Sequence, residues 1–185
     1  MLKSKKGIIF LAVLILFALC FFIRTSFQKN GNNEKNIVKS IQSIKGNESK
    51  DTIEILKIFD SNNGNDRTVA FLYNNSPGYI HFFKNKDGNY KMTYSESRTN
   101  ASHAFFFIKL GKVMKMDHVL IVTNVDTTVT TMKLTVIGES TKEFVFNLHP
   151  KSASLIKLEN MPKPLNGHDF RFEYEYFEKD GKQVK

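Results

Sequence analysis

Apolar positions run along this chain in three different rhythms. The first is unbroken: from position 8 to position 23 no residue is charged, and Cys20 is the only one that is not plainly apolar. With Gly7 this makes a run of about 17 residues, the short end of what spans a bilayer core as a helix. The second is helical: in "NIVKSIQSIKGN", Ile37, Val38, Ile41 and Ile44 recur at helical spacing and Gly46 stands where a helix would stop. The third rhythm, alternation or short apolar bursts, fills the rest.

Those bursts predict strands at "TIEILKIFD", "RTVAFLYN", "YIHFF", "YKMTYS", "AFFFIKL", "HVLIVTNV", "TVTTMKLTVIG", "KEFVFNLH", "SASLIKL" and "FRFEYEYFE". In the last of them Phe170, Phe172, Tyr174 and Tyr176 fall on one side, and Arg171, Glu173 and Glu175 on the other. "NSPG" reads as a turn. Asp87-Gly88 reads as a two-residue hairpin turn, which would place Asn85 opposite Tyr90 and His81 opposite Tyr94. Tyr79, His81, Phe83, Tyr90, Met92 and Tyr94 would then share the face that packs under the helix. "NMPKPLNGHD" is a proline-punctuated loop.

The expected fold class is mainly β (α+β). An N-terminal transmembrane anchor with its short cytoplasmic flank occupies 1–27 and a polar tether 28–36. A helix plus antiparallel β-meander covers 37–98, and an immunoglobulin-like β-sandwich unit 102–185. Short strands separated by turns at this spacing fit a sandwich.

Charge orients the anchor. Five of the 27 Lys and Arg residues lie in the first 30 positions, with none of the 18 Asp and Glu. Lys3, Lys5 and Lys6 crowd the N-terminal flank, so the positive-inside rule leaves the C-terminal part outside. A cleaved signal would need small residues after a shorter apolar core, and a lipoprotein a small residue before its cysteine. Here Leu19 precedes Cys20 and Phe21, Phe22 and Ile23 prolong the run. The anchor, marked by Ile8, Leu14, Cys20 and Ile23, is therefore expected to stay uncleaved. Cys20 is the only cysteine, so the outer domain has no disulfide. Together with the Lys-, Asn- and Ile-rich composition, this leans towards a bacterial envelope. No tight basic run with interleaved aromatics appears, which argues against nucleic-acid binding.

Candidate chemistry is sparse. The five histidines are scattered, without H-x-H or H-E-x-x-H spacing. "DSNNGND" offers Asp60, Asn62 and Asp66 as a weak calcium set, but it breaks the order of an EF-hand loop. Ser154 and Lys157 match S-x-x-K in a strand-like context without its companion motifs. No catalytic residue and no cofactor are expected. The 17 Phe and 6 Tyr mostly suit sheet cores. Phe105, Phe106 and Phe107, consecutive in one strand, cannot all point to one side, so they mark a candidate interaction patch. The expected function is a non-catalytic, single-pass, membrane-anchored binding module outside the cytoplasm. Its partner would be an envelope protein or a wall polymer, met through a strand edge or an aromatic patch. The alternatives are an accessory subunit of a membrane complex and an anchored envelope hydrolase.

Overall fold

A computed structural model describes residues 13–17, 30–45, 51–61, 63–110, 117–167 and 169–184. The protein is mainly β, with antiparallel sheets throughout. Among the described residues, helix α1 (Glu34–Lys45) precedes eleven strands. Sheet A has the order β1-β2-β3-β4, from Ile53–Ser61, Asp66–Tyr73, Ser76–Lys84 and Tyr90–Ser97. Sheet B has the order β5-β6-β9, from His103–Ile108, His118–Thr123 and Ser152–Lys157. Sheet C has the order β11-β10-β7-β8, from Gln183–Val184, Arg171–Glu178, Val129–Ile137 and Thr141–Asn147.

Three apolar clusters stack these elements into four layers. Ile37 and Ile41 of α1, both fully buried, pack on Val69, Phe71, Ile80 and Phe82 of sheet A. The other face of sheet A supplies Ala70, Leu72 and Tyr79, which meet Ala104, Phe106, Leu120 and Val122 of sheet B. The far face of sheet B then meets Met132, Leu134 and Val136 of sheet C. This order explains why β2, β3 and β6 read as continuous apolar bursts: each is central in its sheet and covered on both faces. Strand β10 keeps part of the expected alternation: Phe172 and Tyr176 pack inward and Arg171 and Glu173 are exposed, but Tyr174, expected inward, is 52% exposed. The meander and the sandwich share the core between sheets A and B, so the polar "SESRTNAS" connection is not a break between separate cores.

Two hairpin turns of sheet A differ from the sequence expectation. Asn74 and Asn75, both at positive φ, form the β2–β3 turn, and Ser76, Pro77 and Gly78 already belong to β3. The β3–β4 loop is 86–88, not Asp87-Gly88 alone: Asn85 N–H donates to Asn89 O at 2.8 Å, and Lys84 pairs with Tyr90. Gly88, at φ +82, takes the left-handed position that closes a three-residue hairpin loop. The register therefore slips by one residue, which moves side chains to the opposite face. Tyr90 and Met92 join Ile80 and Phe82 beneath α1, whereas Tyr79 faces sheet B. A bulge after His81 restores the expected pairing of His81 with Tyr94.

The chain enters this stack over Phe82. Gly31 lies so close that a Cβ there would sit 2.7 Å from the ring, and its N–H donates to Tyr90 O at 2.9 Å. Arg67 closes the seat. It grips both oxygens of Asp60 at 2.7 Å, donates to Gly31 O and lies 4.1 Å from the Tyr90 ring centre. Residues 13–17 are helical with exposed side chains, Leu14 among them; Ile8, Cys20 and Ile23 lie outside the described residues. Among the described residues no helix is long and apolar enough to cross a membrane.

Candidate functional site

Strand β5 ends sheet B on one side, and its parity follows from two hydrogen bonds. Asn124 N–H donates to Ser102 O at 2.9 Å, and Leu158 N–H to Asp117 O at 2.7 Å. In an antiparallel ladder, backbone groups alternate between the two neighbours. Ala104, Phe106 and Ile108 thus bond β6, while His103, Phe105 and Phe107 turn their N–H and C=O groups to an edge that no other strand among the described residues pairs. The side chains alternate too. Ala104, Phe106 and Ile108 are buried against sheet A. His103 lies 4.5 Å from the Tyr176 ring, Phe105 6.0 Å from Tyr174 and Phe107 4.3 Å from Phe172, all of β10.

This edge is the floor of a cleft of about 760 Å³, walled by 96–99 at the end of β4 and by Tyr174 and Tyr176. Past Phe107 it adjoins a second hollow of about 510 Å³, where Tyr79, His81, Tyr94 and Lys109 converge. Phe107 and Glu96 line both. Charges on the cleft are mostly compensated: Arg98 holds Glu96 at 2.6 Å, and Asp66 lies beside His81. Burial pushes His81 and His103 below the usual imidazole range, so both are neutral at pH 7. Burial likewise raises the Tyr79 hydroxyl.

At the base of the second hollow, β2, β3 and β4 meet through three polar side chains. Asp66, 1% exposed, places Oδ1 3.2 Å from His81 Nε2, although Nε2 lies off the line of a directed hydrogen bond. Thr93 Oγ1, at the bulge, sits 2.7 Å from Nδ1 and 3.1 Å from the His81 carbonyl oxygen. With hydrogen on Nε2 facing the carboxylate, Nδ1 accepts from the Thr93 hydroxyl. The sequence of groups resembles an activated hydroxyl, but the misdirected carboxylate contact makes it a weak orienting device. Its clear effect is to pin the bulge that sets the β4 register.

The same group predicts a pH response. Unfolded, His81 binds its proton near pH 6.5; folded, burial lowers that value against the opposing pull of Asp66. Stability from keeping it neutral is present above pH 6.5 and is lost as pH falls from there towards the folded value. Thermal unfolding of the full chain should be flat from pH 8 to 7 and then fall towards pH 5. His81→Gln should flatten part of that slope, His103 supplying the remainder. An unchanged slope in His81→Gln would refute the assignment.

The candidates picked from the sequence are dispersed. Asp60 is held by Arg67 on the α1 side of sheet A, and its carboxyl is pulled below the usual range by that guanidinium. Asp66 is on the opposite face beside His81, and Asn62 lies outside the described residues. Among the described residues no three His, Cys, Asp or Glu side chains group closely enough to hold a metal ion. Ser154 and Lys157 sit on the exposed edge strand β9. Of the three phenylalanines, Phe106 is 2% exposed and belongs to the A–B core, while Phe105 and Phe107 are half-buried along the cleft.

No family model, curated protein or solved structure matches this chain. The site therefore rests on its own geometry. Sequence reading found β5 but not Tyr174, Tyr176 or the His81 cluster as its neighbours. Their only signal was aromatic content, which sheet cores share.

Proposed function

We propose that this protein is a single-pass, membrane-anchored binding module that works outside the cytoplasm in a bacterial cell envelope, with the β5 cleft as its binding face. The observation that carries this reading is the edge of β5. Free edges expose unpaired backbone groups, and proteins usually guard them with charge. Strand β1 carries Glu54, Lys57 and Asp60, β4 carries Lys91 and Glu96, β8 carries Lys142 and Glu143, and β9 carries Lys157. Strand β5, "HAFFFI", carries none; the two-residue edge strand β11 carries none either, but of these edges β5 floors the cleft with aromatic walls.

The apolar run at 8–23 and the basic flank before it support the anchor and its orientation. The exposed apolar side chains at 13–17 fit a lipid-facing helix. The order β5-β6-β9 against β11-β10-β7-β8 supports an immunoglobulin-like unit over 102–185. In this reading the module is non-catalytic, and the partner is an envelope protein or wall polymer.

Two measurements test the proposal. Protease added to intact cells, or to protoplasts, should digest the C-terminal domain; full protection sinks the orientation. A photo-crosslinking residue at Tyr174, on the cleft wall, should give discrete adducts in native membranes. The same residue at Val145, 65% exposed and outside the cleft, should not. Matching patterns at both positions would remove the cleft from the argument.

A further inference from the structure

We propose that the cleft takes an extended polypeptide segment, added as a fourth strand to sheet B beside β5, with an acidic residue at its Lys109 end. This rests on the reading above that the cleft is the binding face, and goes further by naming the chemistry of the occupant.

Three features select that chemistry. First, His103, Phe105 and Phe107 present alternating N–H and C=O groups to the cleft, a row that another extended backbone satisfies in register and that a sugar polymer does not. The six residues of β5 span about 20 Å, enough for five or six added residues. Second, the edge is recessed between the end of β4 and Tyr174 and Tyr176 of β10. A single strand fits such a slot. The β5 edge of a second copy does not, because its own walls would meet these first. Third, the cleft and the hollow that adjoins it have one charge without an ion-pair partner among the described residues. Glu96 and Arg98 pair with each other, Asp66 lies beside His81, and both histidines are neutral, which leaves Lys109. A carboxylate on the added strand complements it. Residues of that strand facing sheet A would enter the hollow over His81, and those facing sheet C would lie against Tyr174.

The test uses the full-length protein in detergent micelles and a displayed library of random ten-residue peptides as probe. Enriched peptides should be apolar with Asp or Glu near one end. Backbone N-methylation along the best peptide should weaken binding at least tenfold at every second residue and little between. Lys109→Glu should invert the end preference from acidic to basic. Phe107→Pro removes an N–H that faces the cleft and leaves the β5–β6 ladder intact, as edge positions allow. It should weaken binding at least tenfold beyond Phe107→Ala, which keeps the N–H, with thermal melts showing both variants folded. N-methylation losses without a period of two overturn the proposal, and so does self-association that Phe107→Pro abolishes, since a second copy would then fill the cleft. If no peptide is enriched while the Tyr174 crosslink captures wall polymer, the polypeptide strand is refuted and the binding module stands. If the crosslink is also blank, both fall.

Discussion

Phe106→Ala is expected to cost the fold about 3–5 kcal/mol, the range for deleting a buried aromatic side chain. The ring is 2% exposed and packs 4.9 Å from the ring of Tyr79, in the cluster that joins sheet A to sheet B. Its loss therefore opens the seam between the meander and the sandwich rather than a pocket inside either. Phe105→Ala and Phe107→Ala should each cost clearly less, because those rings already border the cleft and water can fill the space they leave. Urea unfolding of the full chain gives all three values on one scale. For a chain of this size each kcal/mol moves the melting temperature by about 2–4 °C. Three equal losses would contradict the alternation of β5. A negligible loss at Phe106 would contradict the shared core.

The contrast between neighbours shows where sequence reading stops. "AFFFIKL" announces a strand and shows that adjacent phenylalanines point opposite ways. It does not reveal that sheet A covers one side of that strand while the other runs along a cleft. That distinction depends on pairings distant in sequence: Tyr79 with Phe106, Tyr174 with Phe105. The strands themselves were legible because alternation and apolar bursts are local. The helix was legible from the spacing of Ile37 and Ile41. The cleft was not, because an edge is defined by the strand that is missing beside it, and no local pattern records an absence. Charge gave a partial clue, since β5 lacks the Lys and Glu that mark β1, β4, β8 and β9, but that clue has meaning only once the edges are known. The calcium candidates failed to converge for a similar reason. Asp60 and Asp66 share one loop region in sequence, yet their strand positions send them to opposite faces of sheet A, to Arg67 and to His81.

The helix docks on the face that the sequence assigned to the other side, and this carries the second large prediction. Ile41→Ala should cost about 2–5 kcal/mol, because Ile41 is fully buried beneath α1. Its partner decides which face of sheet A the helix covers. The sequence expectation puts Tyr79 under the helix; in the structure Ile80 and Phe71 lie there, and Tyr79 points into sheet B. Ile41 and Phe71 belong to one cluster and line the same small hollow. The double variant Ile41→Ala, Phe71→Ala should therefore be non-additive by about 0.5–3 kcal/mol, as for residues in contact. Ile41→Ala combined with Tyr79→Phe should add to within about 0.5 kcal/mol, since the sheet lies between them. The reverse pattern of coupling would restore the helix to the Tyr79 face, as read from the sequence. Beyond the bulge the observed pairs, His81 with Tyr94 and Tyr79 with Glu96, are the ones that a two-residue turn also gives, so the turn decides the face of Tyr90 and Met92 and leaves the wall above β5 in place. The three-residue loop closed by Gly88 turns Tyr90 and Met92 under the helix, and the bulge at His81 and Thr93 returns the rest of β4 to the pairing that places its end beside β5.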